Sequence, residues 1–187
     1  YSNRKIEIKG EGNIKLQKSD DQINYKINKN KDNLEFDCVL NINKNPFSID
    51  FLNYKKKEDT YAKLNLNGKL DINGKVLLKQ ILFKEKNNEI LIKKISLDKS
   101  YRIEKLDSVK INILNENQIL NQLNLKMSKK NFILDGEVFD ATKLINDLIH
   151  SESQFKFNKI FNNKNILLKK KIKKVYLDKN NFVNDLK

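Results

Sequence analysis

Several residue types are scarce in this 187-residue chain, and each scarcity excludes a class of protein. A single cysteine excludes an internal disulfide framework and a cysteine-based zinc site. A single histidine excludes a histidine-rich metal site. One proline and five glycines exclude collagen-like and proline-rich linker sequences. No apolar run approaches the ~18 residues that a membrane-spanning helix requires.

The start of the chain points to a larger protein. Tyr1 opens directly into a strand-like segment, without an initiator methionine or the apolar core of a signal peptide. At 22.1 kDa, the chain has the length of one ordinary domain. We therefore expect residues 1–187 to be a single β-rich segment of a longer chain, with any targeting sequence outside it.

The charge is strongly positive, with 38 lysines and arginines against 24 acidic residues and a mean hydropathy of -0.68. Such a balance is typical of proteins that bind nucleic acid or anionic lipid. However, the only arginines are Arg4 and Arg102, and nucleic-acid recognition relies on arginine for bidentate contacts. We interpret most of the charge as solvated strand faces and predict no nucleic-acid partner.

Apolar and polar residues alternate along most of the chain, which is the pattern of strands with one buried face. Shorter runs cover 23–27, 34–42, 131–138 and 155–157, the last carrying Phe155 and Phe157. Polar turn clusters separate the runs every ~8–12 residues, so we predict an antiparallel sheet. In the longest run every even position is apolar or glycine: Ala62, Leu64, Leu66, Gly68, Leu70, Ile72, Gly74, Val76 and Leu78.

Two Asn-Gly pairs, at 67–68 and 73–74, have the composition of hairpin turns. A three-residue loop over 72–74 pairs Leu70 with Val76 and keeps the apolar residues on one face, so we prefer it to a two-residue loop. The alternative is one long strand in which glycine relieves the curvature. The polar segment 10–13 is a further predicted turn.

One segment, about 140–149, breaks the alternation. Its apolar residues follow a helical stripe, Leu144, Ile145, Leu148 and Ile149, and Asp140 is a suitable N-cap. This predicts one short helix that docks its stripe on the sheet. Beyond it lies a basic strand-like run over 167–177, whose apolar phase slips between Ile172 and Val175, which indicates a bulge or a break.

No group of residues has the pattern of a catalytic, metal or cofactor site. His150 follows the helix without a partner set, and Cys38 lies on the apolar phase of a strand. The Gly-x-Gly at 10–12 precedes a strand, so it is not a phosphate loop. The lysines of 169–174 either protect a strand edge or contact anionic headgroups. We predict that the chain is not an enzyme and binds no metal or cofactor.

One stretch carries a family resemblance. The segments 74–78, 88–90 and 98–103 lead in order to a strand followed by Gly-x-x-x-Asp-Ala-x-x-Leu-Leu and a short helix, a pattern filled by Gly136, Asp140, Ala141, Leu144 and Ile145. This resembles the AsmA-like superfamily, and within it the large YhdP-type envelope proteins. The resemblance covers about 62–177.

The resemblance implies a long periplasmic β-groove, anchored in the inner membrane by a segment outside this sequence, that carries phospholipid toward the outer membrane. We accordingly expect an all-β fold with one short helix, whose curved antiparallel sheet forms part of an elongated β-groove. Phospholipid acyl chains are the expected partner, and the expected lining residues are Leu64, Leu66, Leu70, Val76, Leu78, Leu134 and Val138.

Other interpretations of the same pattern stay open at this point. The same apolar residues could fill a closed β-sandwich core. A structural or adhesive β-domain of a cell-envelope or surface protein is the main alternative function, and a basic nucleic-acid-binding module is less favoured. The sequence does not indicate an oligomeric state.

Overall fold

A computed structural model describes residues 5–128, 131–150 and 167–187. These residues form a mostly β structure with one 3-10 turn (Asp50–Leu52) and one helix, α1 (Thr142–His150). The strands are β1 (Ile6–Lys15), β2 (Asp20–Lys29), β3 (Asn33–Ile42), β4 (Phe47–Ile49), β5 (Tyr54–Lys56), β6 (Ala62–Asp71), β7 (Val76–Glu85), β8 (Asn88–Leu97), β9 (Ile103–Leu114), β10 (Leu120–Ser128), β11 (Asn131–Asp140), β12 (Leu167–Tyr176) and β13 (Phe182–Leu186).

Eleven of these strands form one curved, unclosed sheet in the order β1-β2-β3-β6-β7-β8-β9-β10-β11-β12-β13. Every neighbouring pair is antiparallel except β11 and β12, which are parallel. The helix α1 lies between these two strands in the sequence, which fits the crossover that a parallel pair requires. The predicted fold class, all-β with one short helix and a curved antiparallel sheet, is confirmed.

The strands β4 and β5 leave the large sheet and form a separate two-stranded hairpin. We call the segment 43–61, which carries this hairpin and the 3-10 turn, the lid. Leu52 and Tyr54 of the lid are buried in the main core together with Leu40, Ile42 and Phe83 of the sheet. The lid therefore supplies a second layer over one end of the apolar sheet face.

The predicted hairpin at 72–74 is confirmed, since Leu70 lies opposite Val76 and the Asp71 N–H donates to the Lys75 carbonyl. The other Asn-Gly pair is not a turn. Gly68 lies inside β6 at a bulge, where a Cβ would come within 2.5 Å of the Leu77 carbonyl oxygen. The segment 10–13 also lies within a strand, β1, so that predicted turn is wrong.

The helix begins two residues later than predicted, because Asp140 is the last residue of β11. Ile145 packs against the main core, and the helix lies against the 3-10 turn of the lid. Ile149 is 69% exposed, so the predicted docking stripe does not extend to the end of the helix.

The phase slip in β12 does not break the strand, which pairs continuously with β11. Ile172 and Val175 are both buried in the main core. The slip follows an irregularity of β11, where Leu123 faces Gly136 but Gln122 faces Val138, so that Glu137 has no partner on β10. The predicted strand at Phe155 and Phe157 lies outside the described residues.

Candidate functional site

One face of the large sheet is apolar along continuous rows that run across the strands. Residues directly opposite each other on paired strands share a face. The longest such row crosses all eleven strands and contains nine apolar residues and two glycines: Gly12, Ile23, Leu40, Leu64, Phe83, Ile90, Ile111, Leu123, Gly136, Ile172 and Leu186.

A second row runs parallel to the first, further from the lid. Its members are half-buried at every position from β3 to β11, in contrast to the first row, where Leu40, Phe83 and Ile172 are buried. We call this second row the apolar track: Cys38, Leu66, Ile81, Ile92, Val109, Leu125 and Leu134.

The apolar track is about as long as two lipid tails placed end to end. Seven strands at a spacing of about 4.8 Å give a row roughly 29 Å long. The hydrocarbon core of a bilayer, which holds two acyl chains end to end, is ~30 Å thick. The side chains from Leu66 to Leu134 are aliphatic without exception. A chain lying along this row meets no charged group until Lys170, which lies opposite Leu134 on β12.

A cavity of about 310 Å³ lies where the lid meets the sheet. We call it the lid pocket. Its walls are almost wholly apolar, and this volume is at the lower end of the ~300–1,000 Å³ typical of ligand sites. Ile81 belongs to both the pocket and the apolar track, so the two are continuous. The main apolar lining residues are Phe47, Ile49, Leu64, Ile81, Phe83 and Ile90.

Aromatic packing fixes the roof of the lid pocket. The rings of Phe47 and Phe83 meet edge to face with centroids 4.9 Å apart, and Tyr54 packs against both at 6.0 Å. Such edge-to-face pairs are favourable beyond their buried area. The Tyr54 hydroxyl donates to Glu85 Oε2 at 2.9 Å, and burial, followed by the adjacent Glu85 carboxylate, raises the pKa of Tyr54. Tyr54 therefore stays a neutral donor that holds the lid on β7.

Two buried charges anchor the lid where it leaves β3. Asp21 is 3% exposed and accepts hydrogen bonds from the N–H groups of Asn43 and Lys44 at 2.8 and 2.9 Å. Burial alone would raise the pKa of Asp21, but these bonds and the one from Asn45 lower it, so the carboxylate stays ionised. Lys56 is fully buried and donates to three lid carbonyls, those of Asn43, Asn45 and Lys57.

The structure brings six of the seven predicted lining residues to one face. Leu64 and Leu66 lie on neighbouring rows of β6, and Leu134 lies at the β11 end of the apolar track. Leu70, Val76 and Leu78 lie on the same face toward the 72–74 hairpin, where Leu70 is 37% exposed.

Val138 does not lie on the apolar face. The unpaired Glu137 reverses the side-chain phase of β11, so Val138 faces Gln122 in the polar row and Phe139 packs against the core instead. The alternation 132–138 thus predicted the right face for Leu134 and the wrong one for Val138.

The five residues of the family-like pattern meet at the junction of β11 and α1. A Cβ on Gly136 would approach the Gln122 carbonyl oxygen and Leu123 Cδ2 at 2.7 Å, so glycine allows the bulge there. Ala141 donates its N–H to the Tyr176 carbonyl and accepts from the N–H of Ile145. Leu144 is half-buried on the first turn of the helix.

Asp140 is fully buried and lacks a cationic partner in the part of the chain that the structure describes. Its carboxylate accepts from Asn115 Nδ2 at 2.6 Å, Asn117 Nδ2 at 2.8 Å and the Thr142 N–H at 3.0 Å. Burial alone would raise the pKa of Asp140, but hydrogen bonds from Thr142, Asn117 and Asn115 lower it. Asp140 thus caps the helix, as predicted, and also joins it to the β9–β10 turn.

No protein-family model, curated protein or solved structure matches the chain.

Two features of this site were missed by sequence reasoning. The strand signal at 47–51 gave no indication that β4 leaves the sheet, although Pro46 and the short spacing to 54 are consistent with a separate hairpin. The five track and pocket residues on β7, β8 and β9, namely Ile81, Phe83, Ile90, Ile92 and Val109, were missed as lining residues because the alternation changes phase within each of these strands. Among the described residues, no helix is long and apolar enough to cross a membrane.

Proposed function

We propose that the chain is a segment of a non-enzymatic hydrophobic conduit that carries phospholipid between the inner and outer membranes of a bacterial envelope. The observation that carries the proposal is the apolar track, in which Cys38 and six aliphatic side chains on seven adjacent strands form one continuous row that is only partly buried. A contiguous apolar surface on a soluble domain often marks a binding site.

The energetics favour an acyl chain as the occupant. Removing a methylene from water yields ~0.8 kcal/mol, so a chain of about 16 carbons gains on the order of 13 kcal/mol when fully buried and about half of that on an open track. Because the gain is similar at each position, a chain can slide along the row without meeting a deep trap. Transfer of this kind needs no bond to form or break.

The lid pocket supports the same function. It continues the apolar track through Ile81 and encloses its occupant on two sides, by the sheet and by Phe47 and Ile49 of the lid. A tail end that enters the pocket is more completely removed from water than one on the open row. A tail end therefore binds more tightly in the pocket than on the open row.

The motif at Gly136, Asp140 and Ala141 supports the cellular setting. Its resemblance to the AsmA-like superfamily favours a periplasmic conduit held at the inner membrane by a segment outside this sequence. A structural or adhesive β-domain, the main alternative, does not require a continuous, partly buried aliphatic row such as the one that contains Leu66 and Ile92.

Photo-crosslinking with a phospholipid that carries a diazirine in its acyl chain tests the proposal. We expect adducts on apolar-face peptides that contain Leu66 and Ile92, and native mass spectrometry should detect phospholipid on the purified protein. An excess of unlabelled phospholipid should suppress the adducts. Labelling of polar-face side chains only, or no lipid on a folded protein, would contradict a conduit and favour the structural domain.

A further inference from the structure

The last two strands form an edge of the sheet that is both basic and apolar. We call the segment 167–187, which contains β12 and β13, the last hairpin. It carries seven lysines against two aspartates, and therefore a net charge of +5. It also exposes four large apolar side chains: Leu168 at 51%, Leu177 at 40%, Phe182 at 48% and Val183 at 40%.

The lysines lie on both faces of β12. Lys169 and Lys171 face the polar side, where Lys171 lies opposite Asp135, whereas Lys170 faces the apolar side at the end of the apolar track. Lys169, Lys170 and Lys171 are all exposed. Positive charge therefore surrounds this edge instead of covering one face.

Hydrogen bonds to Asp178 define the tip of the last hairpin. Asp178 accepts from the N–H groups of Asn180 and Asn181 at 2.8 and 2.7 Å and from Asn181 Nδ2 at 2.7 Å. Leu177 and Phe182 flank this turn, so both exposed side chains lie together at the tip.

The opposite edge of the sheet lacks this combination. The segment 5–29, with β1 and β2, also exposes Ile6 and Ile8, but its six lysines face four acidic residues, a net charge of only +2. Glu7 pairs there with Lys9 at 2.7 Å and with Lys26 at 3.0 Å. Of the two edges of the sheet, the last hairpin thus carries the larger excess of positive charge.

We propose that the last hairpin docks the protein on an anionic bilayer surface, with Leu177 and Phe182 inserted among the headgroups and the lysines of β12 against lipid phosphates. Each lysine near an anionic membrane contributes about 1 kcal/mol, and exposed aromatic and aliphatic side chains add apolar burial. This docking goes beyond the proposed conduit, but it would bring the Lys170 end of the apolar track to the membrane.

The local chemistry favours a bilayer over nucleic acid. The last hairpin contains no arginine. Lys174 Nζ lies 4.0 Å from the Phe182 ring centroid and 4.6 Å from that of Tyr176, so it covers a face of each ring that a base would need for stacking. Insertion of the ring edge among lipid headgroups leaves this cation–π contact intact.

Vesicle sedimentation tests the docking, with phosphatidylcholine vesicles made with or without phosphatidylglycerol. We expect binding only to the anionic vesicles, and its loss at high salt. The triple variant Lys169→Gln, Lys170→Gln, Lys171→Gln should lower the partition coefficient by on the order of 100-fold, and Leu177→Ser should lower it further. The matched control, Lys5→Gln, Lys15→Gln, Lys18→Gln, removes the same charge from the other edge and should have little effect.

Three results would overturn the docking proposal: equal losses in the two triple variants, equal binding to neutral vesicles, or tighter binding to a single-stranded oligonucleotide that displaces the vesicles. The conduit is tested separately. Leu66→Asp should reduce bound lipid but keep vesicle binding, whereas the β12 triple variant should keep bound lipid but lose vesicle binding.

Discussion

The substitution Leu66→Asp separates an open track from a sealed core. Leu66 lies in the middle of the apolar face, between Cys38 on β3 and Ile81 on β7, and it is half-buried. Fully burying a leucine is worth ~1.5–3 kcal/mol, so losing a half-buried one costs about 1 kcal/mol. The new carboxylate still reaches water. In a domain of this length, 1–2 kcal/mol lowers the melting temperature by roughly 2–8 °C.

The effect on lipid should be larger than the effect on folding. A carboxylate at position 66 removes contact with two or three methylenes of a bound chain, at ~0.8 kcal/mol each, and has to be desolvated when the chain passes. We expect affinity for phospholipid to fall by at least about 30-fold. Thermal unfolding followed by circular dichroism, together with acyl-chain crosslinking, measures both quantities.

The matched control is Gln80→Glu, which adds the same charge on the polar face, opposite Asn67 and Lys93. It should change stability by less than about 0.5 kcal/mol and leave lipid binding intact. A loss of more than about 10 °C in Leu66→Asp would mean that the face is sealed, because an unpaired carboxylate in a closed core costs several kcal/mol. A folded Leu66→Asp protein that binds lipid like the wild type would refute the track itself.

Three further predictions concern the scaffold. Gly136→Ala should lower the free energy of unfolding, measured in urea, by about 1–3 kcal/mol because the new Cβ would collide with the Gln122 carbonyl oxygen. The control Gly12→Ala should lower it by less than about 1 kcal/mol, because a Cβ at position 12 has no neighbouring atom within 4 Å. Asp140→Ala should lower the free energy of unfolding by about 2–4 kcal/mol because it leaves buried side-chain amides unpaired. Because folding lowers the pKa of Asp140, the stability contributed by its carboxylate is present above pH 3.8 and is lost as the pH falls through the folded pKa. A series of urea unfolding curves at different pH values would show this loss. Lys56→Met should leave three lid carbonyls without their hydrogen-bond donor. Amide hydrogen exchange across 43–57 should then become faster under conditions in which the rest of the sheet stays folded. Equal acceleration across the lid and the sheet would argue against a lid that opens separately.

The strands and their inward faces could be predicted from sequence wherever the period of two is unbroken. From Ala62 to Leu70, every even-numbered residue lies on the apolar face, as the alternation predicts. The pairing of Leu70 with Val76 follows from the requirement that one face stay apolar across the hairpin. The same rule fails at a bulge, because one extra residue reverses every later side chain. Val138 was misassigned for this reason.

The parts that the sequence did not reveal depend on contacts between distant segments. Asp140 is recognisable as a helix cap, yet its bonds to Asn115 and Asn117 join residues more than 20 positions apart. Asparagine is abundant throughout the chain, so nothing distinguishes these two beforehand. The lid was missed for a similar reason, since its anchors at Asp21 and Lys56 become visible only when β2 and β5 meet.

The agreement between strand order and chain order has a consequence for how such a structure grows. Apart from the lid and the parallel β11–β12 pair, each strand of the sheet pairs with its neighbours in sequence through short connections. Folding can therefore proceed by adding one hairpin after another, with little loop entropy to overcome at each step. Gain or loss of a whole hairpin whose apolar residues lie on the same face lengthens or shortens the sheet by about 10 Å and leaves the apolar face continuous. Gain or loss of a single residue inside a strand interrupts that face.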